Sequence, residues 1–121
     1  MTPIIREWTC AYASATEAGD YFQVLFEEFE ENDSPYVLIQ SQYEFPELCD
    51  VPVETDNGEW CAELSVQSAA LDGQRLVIDG SADDGPVRII VNYTADDVTK
   101  ADLKRVLKIM LPDIVVAPWT P

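Results

Sequence analysis

The sequence predicts an α+β fold, with a single antiparallel sheet of five to six strands and one C-terminal amphipathic helix packed on one face. Three observations predict it. Several short stretches alternate apolar and polar residues with a period of two, short polar connections join them, and one run near the C-terminus has helical periodicity. A strand face and a helix stripe that are both apolar each need a partner, and packing one on the other satisfies both.

Taken in order, Ile4 to Ala13 supplies a first strand through Trp8, Cys10 and Tyr12, although the Ala-rich stretch Ala11 to Ala18 is poor in strand-forming residues. Tyr21 to Glu28 places Phe22, Val24 and Phe26 on one parity, and Tyr36 to Tyr43 forms a further strand entered through Ser34-Pro35. The clearest strand is Glu59 to Gln67. Its Trp60, Ala62, Leu64 and Val66 alternate with Glu59, Cys61, Glu63, Ser65 and Gln67. Leu71-Asp72-Gly73-Gln74 reads as a tight turn into the strand Arg75 to Asp79, and the polar run Asp79 to Pro86 reads as a loop before the strand Val87 to Tyr93.

The helix carries its own punctuation. Thr99 can cap it with Asp102 completing a capping box, and Val98 can staple onto Leu103; a second box at Thr94-Ala95-Asp96-Asp97 would start it five residues earlier. Leu103, Val106, Leu107, Met110 and Leu111 form the apolar stripe, and Pro112 ends it. The tail from Asp113 to Pro121 holds Ile114, Val115, Val116 and Trp119, which is apolar enough to dock back onto the body. With no internal repeat or low-complexity linker, residues 1–121 read as one acidic α+β domain.

Charge narrows the function. Twenty-three Asp and Glu residues face seven Lys and Arg, a formal net charge of −16 that repels nucleic acid and anionic membrane and attracts basic proteins from a distance. The same charge in an apolar-poor chain would mean disorder, but a hydrophobic fraction of 47% supports a core. There is no histidine, which removes the commonest general base and the usual nitrogen ligand of zinc. Cys10, Cys49 and Cys61 are odd in number and lack CxxC spacing, so they read as reduced structural thiols rather than as a disulfide framework, a zinc site or nucleophiles. Neither a signal peptide nor a membrane-spanning run is evident in the sequence, and the expected location is the cytoplasm.

No motif marks chemistry. Asp79 to Gly85 has carboxylates and glycines but not the ligand ladder or terminal Glu of a calcium loop, and it reads as a solvated turn. Lys100, Lys104, Arg105 and Lys108 lie on the polar side of the helix and read as a solvated face. With this many acids, carboxylate pairs at any chosen separation carry no information about catalysis. The expectation is therefore a protein with no catalytic residues, metal or cofactor.

Aromatic residues set among carboxylates are the candidates for binding a basic partner. Phe29 stands among Glu27, Glu28, Glu30 and Glu31, off the parity of the preceding strand; it either anchors a partner or folds under the edge of the core. Tyr43, Glu44, Phe45 and Glu47 form a second such group, and Glu59, Trp60 and Glu63 a third in which Trp60 also fits the core.

Order and spacing resemble the immunity protein 10 family of bacterial polymorphic-toxin systems. Tyr36-Val37-Leu38-Ile39-Gln40-Ser41 followed by Glu44-Phe45 is similar to that family's Tyr-x-x-x-Gln strand and its acidic-aromatic sequel. Trp60-Cys61-Ala62-Glu63-Leu64 with Gln67, then Arg75-Leu76-Val77-Ile78, resembles its next two strands, and the helix with Leu103 and Leu107 resembles its ending, so the likeness runs from about Tyr21 to Leu111. Ser68-Ala69-Ala70 stands where the family has a glycine-rich turn. The resemblance implies a small cytoplasmic protein that binds and neutralises one cognate toxin. Charge favours the same class: a non-enzymatic inhibitor that covers the active site of a basic toxin domain such as a nuclease. The alternative is a nucleic-acid mimic that inhibits a DNA-binding or defence protein, which would require acids arrayed across neighbouring strands or loops.

Overall fold

A computed structural model of the chain describes residues 4–18, 21–28, 36–42, 50–55, 60–82, 85–111 and 114–117. The described residues form nine strands and one helix: β1 (Ile4–Cys10), β2 (Tyr12–Ala18), β3 (Tyr21–Glu27), β4 (Tyr36–Gln42), β5 (Asp50–Thr55), β6 (Trp60–Leu71), β7 (Arg75–Ala82), β8 (Gly85–Tyr93), α1 (Asp97–Met110) and β9 (Val115–Val116). The α+β class holds. The single antiparallel sheet of five to six strands does not, because the strands form two sheets, of five and four, and β1 runs parallel to β8.

Hydrogen bonding is continuous along the order β1-β8-β7-β6-β5-β4-β3-β2, so the second sheet arises by bending rather than by interruption. The bend is made within β6. Its first half, Trp60 to Ser65, pairs with β5; its second half, Ser65 to Leu71, pairs with β7, and the register shifts between Val66 and Ser68. A bulge of this kind is how one strand serves two sheets. It also switches the parity of the core positions, from even-numbered Leu64 to odd-numbered Ala69 and Leu71.

A second corner lies at Ala11, the one residue between β1 and β2, which stand at opposite ends of the ladder. The ends must therefore meet in space. The Phe26 and Tyr93 rings confirm it: their strands, β3 and β8, are five steps apart in the ladder, roughly 24 Å if it were flat, yet the ring centroids lie 5.5 Å apart. The two sheets thus face each other across one core, in which Phe22, Val24, Phe26, Val37 and Ile39 meet Leu76, Ile78, Ile89 and Val91.

Helix α1 adds Leu103, Val106, Leu107 and Met110 to this core, and the expected stripe member Leu111 is buried as well. The helix begins between the two starts considered. Asp96 is the N-cap and its carboxylate accepts the Thr99 N–H at 2.7 Å, so Thr99 receives the cap instead of providing it. The Val98 staple is absent, since Val98 is 73% exposed. The Leu71 to Gln74 turn is present, whereas most of the expected Asp79 to Pro86 loop is strand, with Gly80, Ser81 and Ala82 opposite Val87, Pro86 and Gly85. The tail docks as β9, parallel to the end of β6, and buries Ile114; Trp119 lies outside the described residues.

Candidate binding face

In β3 the residues Phe22, Val24 and Phe26 point inward, so Gln23, Leu25 and Glu27 lie on the opposite side of the sheet, all half-buried. Residues directly opposite in neighbouring strands share a face, which makes the outer surface of the first sheet readable row by row. Tyr12, Glu27 and Tyr36 form one row. Ser14, Leu25, Leu38 and Glu54 form the next, and Thr16, Gln23 and Gln40 the third. The centre of this face is thus two leucines that the sequence places on the wet parity of their strands.

Polar contacts around the leucines are made within the face. The Tyr36 hydroxyl donates to Glu54 Oε2 at 2.7 Å, and Gln40 Nε2 donates to Gln23 Oε1 at 3.1 Å. Tyr12 at the rim is 42% exposed. Two tyrosines and two leucines bordered by Glu27 and Glu54 give an apolar centre with a negative edge. Four strands at about 4.8 Å spacing and five residues at about 3.4 Å give a patch on the order of 200 Å². A standard interface buries roughly 800 Å² on each partner, so this is the size of an interface centre, to which the flanking chain must add a rim.

Of the twelve residues expected to bind a partner, Glu27 and Glu28 have described side chains, and both are half-buried. Phe29, Glu30, Glu31, Tyr43, Glu44, Phe45, Glu47 and Glu59 lie outside the described residues. Trp60 and Glu63 are placed in β6 opposite Thr55 and Pro52, with their side chains outside the description. Among the described residues, Glu27, Tyr36, Thr55 and Trp60 mark one end of the first sheet, and Tyr21, Gln42 and Asp50 the other.

Tyr12, Leu25, Tyr36, Leu38 and Glu54 were not among those twelve. The signal for Leu25 and Leu38 was present as apolar residues out of phase with Phe22, Val24, Phe26, Val37 and Ile39, and it became legible only once the register set them side by side.

Of the helix cations, Arg105 is engaged in ion pairs. Arg105 Nη1 reaches Glu17 Oε2 of β2 at 2.6 Å and Arg105 Nη2 lies 3.9 Å from Asp102. Arg88 pairs with Asp79 across β8 and β7 at 2.7 Å, which raises the already high pKa of its guanidinium through that hydrogen bond and the charge of Asp79. Cys10 is buried, and among the described residues no group of three His, Cys, Asp or Glu side chains is arranged to hold a metal ion. No described helix is long and apolar enough to cross a membrane, a statement that does not extend to β-barrels.

Comparison with known proteins supplies no match among protein families, curated proteins or solved structures.

Proposed function

We propose that the protein is an inhibitor of the immunity type, acting in the cytoplasm by binding rather than by catalysis, and that its partner is a basic toxin domain that works on nucleic acid. The outer face of the first sheet carries the reading. Leu25 and Leu38 sit side by side on the side of the sheet away from the core, with Tyr12 and Tyr36 beside them and Glu27 and Glu54 at the edge. Aromatic and aliphatic anchors supply binding energy when water is excluded around them, and the carboxylates supply attraction and register. A net charge of −16 extends that attraction beyond contact range. A nuclease domain must be basic where it holds phosphates, so an acidic protein can compete for that surface.

The test is affinity capture of the tagged protein from nuclease-treated lysate of its native cells, washed through a salt series, followed by co-expression. The expected result is one near-stoichiometric basic partner that is toxic alone and harmless when this chain is present. Several nucleic-acid-binding proteins that all elute at modest salt would replace inhibition of one toxin by nucleic-acid mimicry, and a partner with no toxicity would refute the proposal.

A further inference from the structure

A cleft of about 560 Å³ opens where the turn between β6 and β7, the end of β1 and the first turn of α1 come together. Its charge runs against that of the whole molecule. The cleft is lined by Arg75 and Lys100 with Asp72 as its one acid, so two of the chain's seven cations gather in one place.

The Arg75 Nε donates to Asn92 Oδ1 at 2.9 Å, and Asn92 Nδ2 in turn donates to Glu7 Oε2 at 2.8 Å and to the Trp8 carbonyl at 3.3 Å. These bonds fix the guanidinium through Nε, and among the described residues no group takes up its two terminal nitrogens. Among the described residues no carboxylate pairs with those nitrogens or with the Lys100 ammonium. Asp72 forms no ion pair with them; its Oδ1 accepts the backbone N–H groups of Gln74 and Arg75 at 2.7 and 2.8 Å. The same turn is pinned from below, where the Tyr93 hydroxyl donates to the Asp72 carbonyl at 2.6 Å and the Tyr93 N–H donates to the Gln74 carbonyl at 2.9 Å.

We propose that this cleft binds a small molecule through a carboxylate or phosphate group, with Arg75 and Lys100 as the residues that hold the oxyanion. A guanidinium fixed at Nε presents a planar pair of donors that matches two oxygens of such a group, and the ammonium adds a mobile third donor. The volume falls in the range of small-ligand sites, roughly 300–1,000 Å³. The hydroxyl and amide groups of Thr9, Thr94 and Gln74 leave room for a polar ligand body. The cleft lies on the second sheet and is independent of the proposed binding face on the first.

The experiment is an amide and arginine-Nε NMR titration of the full chain with inorganic phosphate and, separately, with malonate, each at constant ionic strength. Saturable shifts confined to the Gly73 to Arg75 turn, Thr94 to Ala95, Lys100 and the Arg75 Nε–H are expected. Saturation by phosphate alone assigns a phosphorylated ligand, and saturation by malonate alone a carboxylate. Arg75→Gln and Lys100→Gln should each weaken binding tenfold or more in a chain whose remaining spectrum is unchanged, while Lys104→Gln leaves it as it was. If Arg75→Gln disturbs the fold, Lys100→Gln decides alone. No saturable shift with either anion, or shifts that survive Lys100→Gln in full, would overturn the proposal.

Discussion

Gly80→Ala tests the bent sheet at the point where the bend is tightest. Gly80 lies in β7 opposite Val66, at the residue where the β6 register begins to slip. A Cβ there would stand 2.6 Å from the Ser65 carbonyl oxygen and 3.2 Å from both the Ser65 carbonyl carbon and Val66 Cα. All three are backbone atoms, so no rotamer change relieves the contact. Reaching ordinary van der Waals distance requires the strands to part by about 0.8 Å, which strains the ladder bonds on either side of the bulge. Overpacking typically costs about 1–3 kcal/mol, and with backbone on both sides the upper half of that range, about 2–3 kcal/mol, applies. At roughly 4 °C per kcal/mol for a chain of this size, Tm should fall by about 8–12 °C. Thermal unfolding followed by circular dichroism, with a urea midpoint as a second measure, reads the effect. A Tm within about 2 °C of wild type would mean that β6 and β7 are not pressed together at this corner, and the two-sheet packing would have to be redrawn.

Tyr93→Phe removes the hydroxyl that donates to the Asp72 carbonyl, and a urea midpoint should show a loss of about 0.5–1.5 kcal/mol. Burial, and then the charge of Asp72, push the Tyr93 pKa up to about 12, so ultraviolet titration should show a late-ionising tyrosine that vanishes in this variant. Because the folded pKa is raised, this tyrosine's contribution to stability is complete below pH 10 and is lost as pH climbs from 10 through about 12. Asp96 has the opposite sign: the Thr99 N–H holds its carboxyl below the usual 3.8, so its contribution is complete above that pH and is lost as pH falls through the lowered value. The Tm difference between wild type and Asp96→Ala should therefore be constant near neutral pH and shrink in acid, and a difference that persists unchanged at pH 2 would contradict the cap. Glu27→Lys combined with Glu28→Lys should slow association with a basic partner about tenfold and weaken its salt dependence, with dissociation nearly unchanged in stopped-flow measurements.

Local elements were legible because each has its own periodicity. Tyr21 to Glu28 and Tyr36 to Tyr43 differ from β3 and β4 by one residue each, and Val87 to Tyr93 from β8 by two. What the alternation could not carry was curvature. A period of two sorts residues into two faces but says nothing of whether the faces belong to one plane, so the bend inside β6 was hidden within a strand expected to stop at Gln67, close to the bulge itself. The Ala-rich stretch concealed β2 for a different reason: Ala13 and Ala15 pack against the core with too little side chain to display an alternation. β5, Asp50 to Thr55, was missed because Pro52 and the acids around it resemble a connection; its pairing with both β4 and β6 overrides that local preference. The binding face was half legible. Acids beside aromatic residues could be seen in the chain, but the leucines at its centre needed the cross-strand register to bring them together.

The most direct test of the binding face is the affinity of the captured partner for Leu25→Arg and Leu38→Arg, each confirmed as folded by its unfolding curve. Both leucines are half-buried on the side of the sheet away from the core, so these variants should retain the fold. If the two leucines form the centre of the interface, each variant should weaken binding about 30-fold or more, the loss of roughly 2 kcal/mol or above that marks a hot spot, and should fail to protect cells from the toxin. Binding and protection equal to wild type in both folded variants would move the interface off this face and contradict the proposed mode of inhibition.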